Sequence, residues 1–184
     1  MYLCKKLLTA CLYLLSNSGP PPIGGDVAYT NENILRQQRH FNDIRKVGGV
    51  DCVQDIYAKD PTPVGEHVRF WFIGKVARCS GTVSPELAIA RQFNLIEEHA
   101  SRIRPIELGR HFGSIELYAA AGDSELLTSQ NNPRIRLRKV DRVVDGSDKV
   151  PLLEVGLDLS IVTNQGQGFC ILRTDDGVVP PSLM

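Results

Sequence analysis

The sequence predicts an α+β protein: one long helix packed on a curved antiparallel sheet of about five strands, with an irregular N-terminal arm. Three observations carry this. Residues 67–78 alternate with a period of two, one wholly apolar face beside a mixed one, as a half-buried strand does. Residues 84–104 carry one apolar stripe at helical spacing, with a capping residue at the start and a proline after the end. The remaining chain to residue 173 breaks into short alternating runs separated by turn residues.

The first fifteen residues hold Lys5 and Lys6, then the apolar run Leu7 to Leu15, then Ser16, Asn17, Ser18 and Gly19. A basic start, a short apolar core and a small-residue site make residues 1–18 a candidate leader. The run is too short to span a bilayer, so the competing reading is an amphipathic segment docked peripherally on a membrane or a partner. Residues 19–65 read as an extended arm with one short helix. Gly19 to Gly25 includes three consecutive prolines, which suit a stiff linker and neither a helix nor a central strand. Asn31 to Val47 carries a partial stripe of Ile34, Leu35, Phe41, Ile44 and Val47, with Gly48 and Gly49 as its stop. Arg36 and Arg39 fall on its exposed side. Asp51 to Glu66, with Pro61 and Pro63, reads as a further extended connection.

The compact unit is expected over residues 66–175. On the strand 67–78, Val68, Phe70, Phe72, Gly74 and Val76 form a wholly apolar face, expected to lie on the helix. Arg69, Trp71, Ile73, Lys75 and Ala77 form the mixed face. The helix starts at Ser84 as N-cap, with Pro85 and Glu86 in its first turn. Ile89, Phe93, Ile96, Ala100 and Ile103 make its stripe, and Arg91, Asn94, Glu98 and Arg102 point away. Glu98 and Arg102 are suitably spaced for an ion pair, and Pro105 ends the element. Strands follow at 113–119, 134–140, 155–161 and 169–173. The last two are expected to pair as a hairpin around the loop Asn164 to Gly168. Residues 176–184 read as a tail.

A strand, a long helix and an antiparallel meander resemble the cystatins in element order. The cystatin Gln-x-Val-x-Gly hairpin is absent, since the first turn after the helix reads Ala121-Gly122-Asp123-Ser124. The resemblance therefore implies an architecture and no protease inhibition.

Composition narrows function mainly by exclusion. The chain has 184 residues, 42% hydrophobic and 23% charged, with 21 cationic and 21 anionic side chains and no net charge. Such balance gives no whole-molecule attraction to nucleic acid. The five cysteines include no CxxC pair, and His40, His67, His99 and His111 form no metal-ligand spacing. No catalytic, metal or cofactor site is therefore expected. The sharpest charged feature is Arg134, Arg136 and Arg138 at alternate positions, with Arg69 and Lys75 on another strand and Trp71 beside them. This set can pair with Glu116 and Asp158 across strands, dock an acidic protein, or track RNA with Trp71 stacking a base. A small-ligand site or acid–base enzyme would need a pocket between sheet and helix, supplied with polar groups by His111, Glu116, Tyr118 and Asp158.

The expectation is a non-enzymatic accessory or assembly subunit with protein subunits of a larger complex as partners. Its contacts would be the arm (Arg36, Arg39) and a charged sheet face (Arg69, Trp71, Lys75, Arg134, Arg136, Arg138). The leader favours a secretory or organellar destination, a plastid or mitochondrion, where a membrane-bound energy-converting complex is one candidate host. If residues 1–18 are structural, the cytoplasm fits instead.

Overall fold

The computed structural model describes residues 27–159 and 169–184. It is an α+β fold with a six-stranded antiparallel sheet. Helix α1 spans Asn31–Gly48, strands β1 and β2 span Val53–Val64 and His67–Arg78, and helices α2 and α3 span Pro85–Arg91 and Phe93–Ile103. Strand β3 (Leu117–Ala121), the short helix α4 (Glu125–Ser129) and strand β4 (Arg138–Val140) follow. Strands β5 (Val155–Asp158) and β6 (Cys170–Arg173) complete the sheet. The spatial order is β4-β3-β1-β2-β5, with β6 also on β2. No helix among the described residues is long and apolar enough to cross a membrane.

Helix α1 forms where the sequence places it. Thr30 caps it by accepting from the Asn33 amide at 3.2 Å, and Gly49 closes it in a left-handed conformation with its N–H on the Arg45 carbonyl. Its buried residues are Gln37, Phe41 and Ile44, while Leu35 and Val47 are exposed, so the stripe is narrower than expected. Phe41 and Ile44 pack with Cys52, Val53, Ala77 and Cys79. Gly156 of β5 permits this seat, since a Cβ there would lie 2.1 Å from the Phe41 nitrogen.

The segment expected as an extended connection, 51–66, instead contains β1, which pairs with both β2 and β3. Its polar residues hid it. Asp55 and Lys59 alternate with Ile56 and Ala58, and each charge is matched inside the fold. Pro61 and Pro63 lie beyond Ala58, where pairing to β3 has ended, so their missing N–H groups cost that ladder nothing.

Strand β2 holds its expected bounds but not its expected face. The register to β1 slips between Ile56 and Tyr57, which pair with Gly74 and Phe72, leaving Ile73 as the extra residue of a bulge. The bulge inverts the alternation. Phe70 and Phe72 pack with Tyr57, Tyr118, Leu137 and Ile171, away from α2 and α3. Ile73 and Val76 join the α2–α3 core with Ile56, Ala58, Leu117, Ala119 and Val140. Ala77 returns to the α1 side. Both sheet faces are therefore covered, and the clean face of the sequence is split, with Val76 on the helix side and Phe70 and Phe72 on the other.

The long helix is two helices. Ser84 caps α2 through the Leu87 amide, but Gln92 leaves helical geometry at φ −110° and ψ 8°. Its side chain is buried and donates to the Gly156 carbonyl at 3.4 Å. Beside it, Arg91 is also buried, with Nε on the Val150 carbonyl at 3.0 Å, rather than facing solvent. Two polar side chains reach into the fold at this joint, where the apolar spacing alone shows no interruption. Glu98 and Arg102 do pair, at 2.6 Å.

Later strands are shorter than expected. The amides of Gly113 and Ile115 bond to the Glu97 carboxylate at 3.0 and 3.1 Å, so β3 starts only at Leu117. The Ile135 amide turns back to Asn132, and β4 is limited to residues 138–140. Among the described residues, strands β5 and β6 do not pair with each other. They lie end to end along β2, on Lys75–Arg78 and Val68–Trp71 respectively, in place of the expected hairpin. Gly74 admits the approach, since a Cβ there would sit 2.6 Å from the Asp158 oxygen. The loop 164–168 lies outside the described residues. With β1 central and two strands sharing β2, the cystatin-like succession does not describe this sheet.

Candidate functional site: a charged cleft and a buried lysine cluster

Polar groups concentrate at two places that β1 connects. The first is an open cleft of about 510 Å³ beside the edge strand β4, lined by Lys59, Glu116, Tyr118, residues 136–139, Asp175 and Asp176. Lys59 reaches it from β1 and bonds Glu116 at 3.0 Å and Asp175 at 2.7 Å. Glu116 also takes the Lys139 ammonium. Hydrogen bonding from Lys139 holds the Glu116 carboxyl below its usual range; burial opposes it, and the Lys59 hydrogen bond adds to the lowering. The Tyr118 hydroxyl donates to the Asp175 carbonyl at 3.2 Å. The two lysines are thus matched by carboxylates. Arg136 and Arg138 form no ion pair among the described residues, and both side chains are exposed on the rim.

The second place lies further along β1 and β2. The Lys75 ammonium, on a side chain only 2% exposed, bonds Asp123 directly, Glu125 at 2.8 Å and Asp55 at 3.5 Å. Asp55 is fully buried and accepts from the Asp123 and Ser124 amides at 3.1 and 2.8 Å and from the Ser124 hydroxyl at 3.1 Å. Arg45 of α1 closes the network on Asp123 at 2.6 Å. Burial pushes the Asp55 carboxyl up to about 6; Lys75 opposes that shift and Glu125 adds to it. Burial alone would lower the Lys75 pKa, but its hydrogen bonds to Asp123 and Glu125 and the charge of Asp55 raise it. Carboxylate oxygens of Asp55, Asp123 and Glu125 lie within 4.8 Å of one another, a spacing that can hold a metal ion. Here the Lys75 ammonium bonds all three and supplies the positive charge. This network ties β1, β2, α1 and the start of α4 together.

Arg173 stands apart from both sites and is fully buried. Its guanidinium donates to the Asn131 side chain at 2.6 Å and to the Thr128 carbonyl at 3.0 Å, capping the end of α4. Burial lowers its pKa.

The structure separates the charged residues singled out in the sequence. Arg136 and Arg138 meet at the cleft. Arg134 is exposed just before them, its amide on the Asn132 side chain. Lys75 is buried in its own cluster. Arg69 lies 3.5 Å from Asp60. Trp71 sits under the Arg104 guanidinium, 4.0 Å from its ring centroid, with β1 and β3 between its strand and β4. Arg36 pairs with Glu32 at 3.4 Å and Arg39 donates to the Leu35 carbonyl, both on α1. The cross-strand partners of Glu116 are lysines rather than the expected arginines. Of the polar groups proposed for a ligand pocket, Glu116 and Tyr118 line the cleft. His111 precedes β3, and Asp158 lies on β5 with its carboxylate 3.5 Å from Gln38.

Sequence reasoning missed Lys59, Asp55, Asp123 and Glu125. The signal available was the period-two run Val53, Asp55, Tyr57 and Lys59 against Ile56 and Ala58. No protein-family model matches the chain, and neither a curated protein nor a solved structure is found similar to it.

Proposed function

We propose that this protein is a non-enzymatic accessory or assembly subunit that docks on a larger protein complex through the charged cleft beside β4. One observation carries the reading: Arg136 and Arg138 present guanidinium groups on the cleft rim with no ion pair among the described residues, while neighbouring Lys59 and Lys139 are matched by Glu116 and Asp175. A guanidinium presents a planar fork of donors suited to carboxylates. Asp176 of the same cleft acts on Arg136 only through its longer-range charge, and an acidic segment of a partner protein would supply direct carboxylate contacts to both arginines. Arg36 and Arg39 on α1 provide a second contact region in this reading.

A small anionic ligand is the second reading, favoured by the cleft's volume, which falls within the range of ligand sites. An RNA surface is less well supported, because two strands separate Trp71 from β4.

The test is native isolation of the full-length chain from its own cells, with complex mass and stoichiometry measured for the wild type and for Arg136→Glu/Arg138→Glu. The subunit reading expects a stoichiometric complex that the double variant fails to enter while keeping its thermal midpoint. Recovery of the wild type as a free monomer would overturn it, as would assembly indifferent to both substitutions.

A further inference from the structure

Among the described residues, strand β4 ends the sheet, paired only with β3. The Leu137 amide just before it points away from β3 and bonds the Gly177 carbonyl at 3.1 Å, so the edge is occupied at this one position by the turn 174–178, which the Gly177 amide closes on the Thr174 carbonyl. Backbone groups two residues apart along a strand face the same edge. The N–H and C=O of Lys139 therefore face outward as well, beyond the point where the C-terminal segment pairs. Between residues 134 and 139 the side chains include Arg134, Arg136, Arg138 and Lys139 and no acid. Among the described residues, Lys139 alone of these four forms a close ion pair, while Arg136 interacts with Asp176 at longer range.

We infer that the outer edge of β4 receives an extended acidic segment of the partner as an added strand, its carboxylates meeting Arg136 and Arg138. This rests on the docking reading above and specifies its mode. Strand addition obtains affinity from main-chain hydrogen bonds and specificity from alternate side chains. The cations also explain selectivity. Like charges on a short edge strand repel a second copy of the same strand and so block edge-to-edge self-association. The same charges admit a strand of opposite sign.

The experiment measures binding of the full-length protein to a fluorescent peptide of alternating Glu and Thr. The same peptide with alternate backbone nitrogens methylated, a Lys–Thr peptide and a single-stranded RNA oligonucleotide serve as comparisons. The Glu–Thr peptide should bind, weaken as salt rises, and lose roughly tenfold or more in affinity either on methylation or with Arg136→Glu/Arg138→Glu protein. Equal binding of the methylated peptide would overturn strand addition, leaving docking by side-chain charge. Failure of the Glu–Thr peptide to bind, while complex assembly in cells still needs Arg136 and Arg138, would overturn this inference and not the docking reading. Tighter binding of the RNA than of the peptide would overturn both.

Discussion

The Lys75 cluster and the β4 cleft are built from the same residue types and share strand β1, yet they differ in access to water. Lys75 and Asp55 are 2% and 0% exposed, whereas Lys139 and Glu116 are 54% and 36% exposed. At the buried Lys75–Asp55 centre of the cluster, removing one partner leaves an uncompensated charge in a poorly solvated place, while Asp123 and Glu125 at its edge keep contact with water. In the cleft, water and salt replace any lost partner at small cost. The first arrangement suits holding elements together. The second suits exchange of partners, which is what a docking surface requires.

The largest effect expected from this contrast is on Lys75→Met. The buried Asp55 then loses its cation, although Asp123 keeps Arg45, and the stability loss near neutral pH should be about 3–5 kcal/mol, read as a shift in the urea midpoint. If the loss is below about 1 kcal/mol, the buried network is not the fastening described here.

Next in size is the pH response. Asp55 titrates near 6 in the folded state against an ordinary 3.8, so the folded protein binds a proton there before the unfolded chain does. Its contribution to stability therefore rises as pH falls through that window. His99 works in the opposite sense. Its ring is buried, accepts the Tyr29 hydroxyl at Nδ1 or donates to it at 2.7 Å, and is held down to about 4 against an ordinary 6.5 by burial. Stability from His99 is lost as pH falls from 6.5 toward 4. In the wild type the two contributions offset each other. Asp55→Asn leaves the His99 loss unopposed, so its stability should fall more steeply between about pH 7 and pH 5, by on the order of 2 kcal/mol. Parallel stability curves for the two proteins would remove Asp55 from this role.

Smaller again is the cleft. Glu116→Gln weakens the attraction for Lys59 and Lys139 at partly exposed positions, and a loss of only about 0.2–1 kcal/mol is expected, shrinking further in high salt. A salt-independent loss above about 2 kcal/mol would make the cleft a structural site like the other. Arg138→Ala stands at the bottom of the scale, within about 0.5 kcal/mol of wild type by thermal unfolding. Its effect should fall on assembly rather than on folding.

Local chemistry was legible from residue order alone. The Ser84 cap, the Asn31 start and Gly48–Gly49 stop of α1, the extent of β2 and the Glu98–Arg102 pair follow from side chains a few residues apart, and the structure keeps them. The class, helices with an antiparallel sheet, follows from the two hydrophobic periods. Arg136 and Arg138 were also visible in advance as a spaced pair of cations. What the tertiary structure decided were matters of distant partners. β1 is a strand because Asp55 and Lys59 find opposite charges from Lys75 and Glu116, residues that periodicity counts merely as polar. The bulge at Ile73 splits the apolar face of β2, with Phe70 and Phe72 on the side away from α2 and Val76 on the helix side, since one extra residue inverts every side chain beyond it. The break at Gln92 comes from a side chain reaching Gly156 across 64 positions. Burial of Lys75 and exposure of Arg138 separate two cations that the sequence presented as one surface. Hydrophobic spacing reports local geometry, whereas matching a buried charge requires a partner that only the folded chain brings near.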